Sequence, residues 1–254
     1  MRVGKVFNML PIQETSPIPH QLIGDNLQTK NALLLRHELI DFCKKNNLYT
    51  PRYIEKLENC GTPITHAIKE RCGLVVCPLC YVHKVNIERQ NTLKRQKRLV
   101  HLNLKTKMVT VTFADVTEQE FLPQYNYLSS QYSRLINSQL KKYVKGTAKA
   151  IETSFPDTGL YHVHLHILLV YADSFNQEKL EPLIQKFFPH KQRMQLGKEQ
   201  NLNLAQFYDY VTKIPKCDVE QWLTFRLFAK KKVTYTGILA KAWASPPRYK
   251  DRRQ

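Results

Sequence analysis

Tyr161-His162-Val163-His164-Leu165-His166-Ile167-Leu168-Leu169-Val170-Tyr171 is an apolar, β-branched run with histidine at every second position over its first half. Side chains on a strand alternate between its two faces, so His162, His164 and His166 share one face and Val163, Leu165 and Ile167 the other. One face therefore belongs to a core and the other to a polar site. A single histidine on a strand is ordinarily a hydrogen-bonded sheet residue. Three at spacing two point instead to a metal site, because imidazole is the commonest metal ligand among side chains.

The flanking sequence supplies a partner. Residues 148–155 also read as a strand, and Pro156-Asp157-Thr158-Gly159 between the two is a turn signal; together they predict an antiparallel hairpin. Glu152 then lies across from the histidines. Two imidazoles and a carboxylate make an open divalent-cation site with places left for a phosphate oxygen and a water. The alternative for Glu152 is an exposed strand residue.

Met108-Val109-Thr110-Val111-Thr112-Phe113 is a further strand by alternation. Helical periodicity marks residues 30–45 (stripe Leu33, Leu34, Leu35, Leu39, Ile40, Phe42), 127–144 (Leu128, Tyr132, Leu135, Ile136, Leu140, Tyr143), 178–188 and 203–213, and a late strand covers 232–239. Strand, helix, strand, strand, helix, helix, strand is an α+β order with a central antiparallel sheet flanked by helices. In the segment 203–213, Leu204, Phe207, Tyr208 and Val211 form the inward stripe, while Tyr210 and Lys213 lie three apart on another face. A tyrosine beside a lysine is a candidate nucleophile. Its phenol, with an ordinary pKa near 10, needs a base, a cation or a metal-activated electrophile to react at neutral pH. Lys213 would steady a phosphate as a point charge. The alternative is a half-buried aromatic, one of 13 tyrosines.

Lys+Arg 39 against Asp+Glu 21 gives a net charge of +18 over 254 residues, which calls for a polyanionic partner, nucleic acid before membrane. No segment has the apolar length of a spanning helix and the first 19 residues lack a secretory core, so a cytosolic protein is expected. Residues 1–26 read as a Pro-rich lead-in. Cys60, Cys72, Cys77 and Cys80 have the spacing Cys-x11-Cys-x4-Cys-x2-Cys. Four cysteines so grouped in a cytosolic chain favour a closed tetrahedral S4 zinc site over disulfides or idle thiols, with His66 and His83 as spare candidates. Cys43 and Cys217 stand apart. The next segment is basic, with Lys94, Arg95, Lys97 and Arg98 the densest group, and suits a DNA phosphate backbone; a solvated helix face is the plain alternative. The expected division is 1–59 as lead-in and helix, 60–100 as a Cys-rich zinc module with the basic segment, and 101–254 as the catalytic domain.

Together these elements resemble the rolling-circle plasmid replication initiators of the HUH single-strand endonuclease superfamily, within them the Rep family with an N-terminal cysteine-rich module. The resemblance rests on Cys60-Gly61, Cys72 and Cys77-Pro78-Leu79-Cys80, on Val109 to Phe113 followed by Asp115 where Asn is common, and on Ala150-Ile151-Glu152-Thr153. It continues through His164-Leu165-His166, Tyr210-Val211-Thr212-Lys213 and the basic stretch Lys231-Lys232-Val233-Thr234-Tyr235-Thr236-Gly237. It implies an HUH endonuclease domain in which Mn2+ or Mg2+ on His164, His166 and Glu152 activates one phosphate of a single-stranded or hairpin origin. Tyr210, helped by Lys213, attacks it and leaves a 5′-phosphotyrosyl link with a free 3′-hydroxyl primer. Zinc on the four cysteines, origin DNA, a bacterial cytoplasm and a host helicase and polymerase follow from the same resemblance. The chain shows no Gly-x4-Gly-Lys phosphate loop of its own. His162 is an accessory or structural residue. Gln206 stands where a termination Glu is often found; an amide is no base, and Asp209 is the nearby acid. Two rival expectations are a transposase or relaxase of the same superfamily and a non-catalytic, zinc-bearing DNA-binding repressor.

Overall fold

The structure is a computed structural model that describes residues 24–61, 70–155, 159–172, 177–189, 193–196, 203–228 and 233–240. Most of the lead-in, His66, the turn residues Pro156 to Thr158, and Lys231 with Lys232 lie outside the described residues. In chain order the elements are α1 (Gly24–Lys45), α2 (Pro51–Asn59), α3 (Pro78–His101), β1 (Lys105–Thr112), α4 (Glu118–Asn137) and β2 (Gly146–Ser154). They continue with β3 (His162–Tyr171), α5 (Gln177–Phe187), β4 (Arg193–Leu196), α6 (Leu204–Val211), α7 (Val219–Phe228) and β5 (Val233–Gly237).

The strands form one sheet in the order β4-β1-β3-β2-β5, and every pairing is antiparallel. The histidine strand β3 is its centre. Each face of the sheet has its own core. Val163, Leu165, Ile167 and Leu169 pack against Phe121, Leu128 and Leu135 of α4 and Leu180 and Ile184 of α5. On the opposite face Ala148, Ala150, Leu168 and Val170 meet Leu204, Phe207 and Val211 of α6 and Leu99 of α3. The alternation of β2 and β3 thus serves two helical layers, and the histidines fall on the α6 side.

A third core joins α1, α2, the cysteine segment and the start of α3 to Tyr208 of α6 and Val219, Trp222 and Phe225 of α7. It crosses both boundaries of the expected three-part division. Trp222 Nε1 donates to the Val76 carbonyl at 2.7 Å and Arg226 Nε to the Val75 carbonyl at 3.0 Å, tying α7 to the strand of chain that leads into the Cys77 turn.

Several expectations shift by physical causes. The cysteine knuckle and the basic segment are one continuous helix, α3, opened by Cys77 as N-cap with Pro78 behind it. Helix α4 starts at Glu118, nine residues before the expected start, because Glu120 reaches back to the Thr117 N–H at 3.0 Å; it stops at Asn137 and a 3-10 turn, Gln139–Lys142, carries Leu140 inward. On α1 the inward stripe is Ala32, Leu35, Leu39, Ile40 and Cys43, while Leu34 is 62% exposed. Sequence reading passed over α2, β4 and α7, each of ten residues or fewer.

At the sheet edge Gly237 pairs with Gly146 and has φ +58; a Cβ there would meet the Lys145 carbonyl oxygen at 2.3 Å. Gly237→Ala should therefore lower unfolding stability by more than about 1 kcal/mol, through both a left-handed φ and a backbone clash. A urea melt checks this; an unchanged midpoint would contradict it.

Candidate active site

Sheet register assembles the site. On one side of β3, Thr110 pairs with His166 and Thr112 with His164; on the other, Glu152 pairs with His164 and Ala150 with His166. Each threonine Oγ1 lies 3.0 Å from the Nδ1 of its histidine partner. That contact fixes both rings and leaves Nε2 for another task, which is how metal-bound histidines are ordinarily held. His166 is buried, and its Nε2 is 2.7 Å from Glu152 Oε2, a diagonal contact across the small Ala150. His164 is half-buried, and its pKa is lowered to about 4 by burial and by the neighbouring His162 and His166. At neutral pH it is an uncharged imidazole, the form that ligates. His162 Nδ1 shares a hydrogen bond with the Asp115 carboxylate and its ring stacks edge-on against His164; it is thereby tied to the β1–α4 connection.

Tyr210 stands over this set. Its ring is 5.4 Å from that of His166 at 89°, and it is 42% exposed. Burial raises its phenol above the ordinary value, and the negative charge of the Glu152 carboxylate raises it further. Glu152 therefore bonds His166 and lies close enough to Tyr210 for its charge to act on the phenol. Helix α6 ends at Val211, so Lys213 lies past the helix and not on its face; its Nζ is nonetheless 5.4 Å from the centre of the Tyr210 ring. Gln206 and Asp209 have other partners. Gln206 Oε1 accepts from the Asn203 N–H at 3.0 Å while Asn203 Oδ1 accepts from Gln206 N–H at 2.8 Å, a reciprocal cap on α6. Asp209 takes a two-pronged bond from Arg89, at 2.7 and 2.9 Å.

Glu152 and Lys213 also line one cleft of about 1010 Å³, with Phe155, Lys216, Asp218 and Gln221 among its other walls. It lies at the end of β2, walled by Thr153, Ser154 and the chain that follows α6. The residues that the sequence does not single out here are Thr110 and Thr112, whose alternation on β1 is visible but whose partners are not, and Arg89, one positive charge among many on a basic helix.

The chemistry of His164, His166 and Glu152 fits a divalent cation: two imidazole nitrogens, one carboxylate and a hydroxyl behind each imidazole. Among the described residues, the group whose ligand atoms already lie within 4.8 Å of one another is the cysteine cluster, Cys60, Cys72, Cys77 and Cys80. Its Sγ separations are 3.7 Å for Cys60 to Cys80 and 3.6 Å both for Cys72 to Cys80 and for Cys77 to Cys60. Four sulfurs on one tetrahedral zinc at about 2.3 Å would stand about 3.8 Å apart. The Cys80 thiol is held far below its ordinary value by hydrogen bonds from Cys72 and Cys77, while Cys77 is driven up. Gly73, at φ +70, turns the chain so that its N–H bonds the Cys80 sulfur. His83 is exposed on α3 and outside the cluster.

The basic segment divides by helical face. Lys94, Lys97 and Arg98 are exposed along one side of α3. Arg95 turns inward: its Nη1 bonds Glu88 at 2.7 Å, its guanidinium lies 4.2 Å over the Tyr235 ring, and its side chain is 11% exposed. No described helix is long and apolar enough to cross a membrane.

Thr112→Val should weaken Mn2+ binding about 10- to 100-fold without altering the fold, because His164 loses the group that orients it; calorimetric titration measures this, and equal affinity would contradict it. Cys80→Ser should reduce zinc, measured by atomic emission, from one ion per chain to well below that; undiminished zinc would mean that another group binds it.

No curated protein and no solved structure matches this chain. One family does: residues 66–187 match Rep_1, replication protein. The matched span holds Cys72, Cys77, Cys80, Glu152, His164 and His166 and stops short of Tyr210.

Proposed function

We propose, from the match of residues 66–187 to the replication-protein family, that the chain is a rolling-circle plasmid replication initiator and nicks one strand of its origin as a metal-dependent HUH endonuclease with Tyr210 as nucleophile. The observation that carries this reading is the meeting of Glu152, His166 and Tyr210 on one sheet face. Register brings the carboxylate and imidazoles together, and α6 lays the phenol on them.

The residues divide the work. His164, His166 and Glu152 would hold the cation, and two imidazoles among three ligands favour Mn2+ over Mg2+. When bound, the cation supplies charge that polarises a phosphate oxygen and offsets the Glu152 charge that now raises the Tyr210 phenol. Glu152 also acts on that phenol through its charge. Lys213 places a positive charge beside the tyrosine, where the scissile phosphate must arrive. Attack forms a bond from the Tyr210 oxygen to phosphorus and breaks the bond from phosphorus to the 3′-oxygen. The phenol loses its proton and the departing 3′-oxygen gains one, leaving a 5′-phosphotyrosyl link and a 3′-hydroxyl from which a polymerase can extend. Gln206 and Asp209 are engaged on α6 and α3, so neither serves as a base for termination.

The cleft lined by Glu152 and Lys213 admits a single strand, and the face of α3 bearing Lys94, Lys97 and Arg98 contacts phosphates without reading bases. Arg95 is removed from that set by its contacts with Glu88 and Tyr235. The four cysteines hold zinc. Origin DNA is the partner, and unwinding and synthesis fall to host enzymes.

Tyr210→Phe should reduce Mn2+-dependent nicking of a single-stranded origin oligonucleotide at least 10³-fold and leave the oligonucleotide's Kd within about threefold. His164→Ala should likewise abolish cleavage in a folded protein. Cleavage retained by either variant would contradict the assignment, and sequence-specific binding with no cleavage by the wild type under any metal would establish a repressor.

A further inference from the structure

Helix α6 has eight residues, Leu204–Val211. So short a helix has almost no stability of its own, and its placement comes from what it packs on. Leu204, Phe207 and Val211 press it on the sheet, but apolar contact leaves rotation about the helix axis weakly determined. The polar contacts that settle the rotation come from α3. Gln96 Oε1 accepts the Leu204 N–H at 2.6 Å, Arg89 holds both oxygens of Asp209, the Tyr208 hydroxyl donates to the Val85 carbonyl at 3.1 Å, and the Tyr81 hydroxyl donates to the Thr212 carbonyl at 3.0 Å.

Residues 81, 85, 89 and 96 fall on one stripe of α3, so a single helix face pins α6 from its first N–H to its C-cap. Asp209 immediately precedes Tyr210, and adjacent helical residues point about 100° apart. Fixing Asp209 on α3 therefore turns Tyr210 toward Glu152 and His166. The origin of the stripe is the cysteine cluster: Cys77 caps α3, Cys80 sits in its first turn, and Tyr81 follows at once, its N–H bonded to the Cys77 carbonyl at 3.0 Å.

We propose that Tyr81 and Arg89 are positioning residues through which the metal-bound cysteine cluster, by way of α3, sets the rotation and order of the helix carrying Tyr210. They touch neither the phosphate nor the catalytic cation. The proposal rests on Tyr210 as nucleophile, and it assigns the zinc module a part in the rate of nicking besides its part in folding.

The test uses the full chain and two readouts, hydrogen exchange of the peptide spanning 204–212 and single-turnover nicking of an origin oligonucleotide. Arg89→Ala, at a partly exposed side chain, should raise exchange in that peptide at least tenfold while the β1 and β3 amides stay protected. Its maximal nicking rate should fall 10- to 100-fold with the half-saturating oligonucleotide concentration and zinc content unchanged. The swap Arg89→Asp with Asp209→Arg should recover most of both losses, and Tyr81→Phe should reproduce the pattern of Arg89→Ala more weakly. Removing zinc with a thiol-directed chelator should raise exchange in the same peptide. Unchanged exchange in Arg89→Ala, or a swap that recovers neither readout, would overturn the proposal. Exchange does not depend on cleavage, so a Tyr210→Phe protein that still nicks would remove the underlying reading, whereas an unaltered 204–212 peptide would remove this proposal alone.

Discussion

Strand register is the constraint on which the rest depends. With β1, β3 and β2 paired as they are, Thr112 and Glu152 flank His164 and Thr110 and Ala150 flank His166. A slip of one residue in β3 would carry the histidines into the apolar layer under α4 and α5 and bring Leu165 to the site. The apolar residues Val163, Leu165, Ile167 and Leu169 are all fully buried, so the cost of that slip falls on the core, and the polar site inherits its accuracy from hydrophobic packing. The site itself need contribute little to stability.

Electrostatics then give the site its direction. Burial and then the Glu152 carboxylate raise the Tyr210 phenol, while His164 is kept neutral by burial and by its neighbouring imidazoles. A divalent ion on the same carboxylate would reverse the sign of the field at the phenol, and on the proposed reading reactivity would then be conditional on the metal and on a phosphate brought to it. The surplus of positive charge over the whole chain would supply affinity for DNA but no such conditionality.

What was legible in the sequence was local and periodic. The alternation from Tyr161 to Tyr171, the antiparallel pair that sets Glu152 across from the histidines, the inward stripe Leu204, Phe207, Tyr208 and Val211, and the close spacing of four cysteines all survive in the structure, which makes His164 the direct partner of Glu152. Long-range choices were not legible. Nothing in the run around Arg95 shows that it turns onto Tyr235 while Lys94 and Lys97 stay outside, because the direction of a helix face is fixed by what packs on it. Thr110 and Thr112 lie on a strand that reads plainly, but their role appears only when β1 is placed beside β3. Helices α2 and α7 were missed because nine and ten residues carry too little periodicity to stand out, even though Trp222 and Phe225 of α7 complete the core over the cysteines. Lys213 was placed on a helix that in fact ends two residues earlier.

The most direct test is to incubate the purified protein and Mn2+ with a single-stranded origin oligonucleotide labelled on the 3′ side of the nick, then to locate the label after denaturation and proteolysis. The account predicts a chelator-sensitive covalent adduct, carried by the peptide that contains Tyr210 and accompanied by an unlabelled fragment ending in a free 3′-hydroxyl. An adduct on another tyrosine, or cleavage that leaves no label on protein, would contradict it.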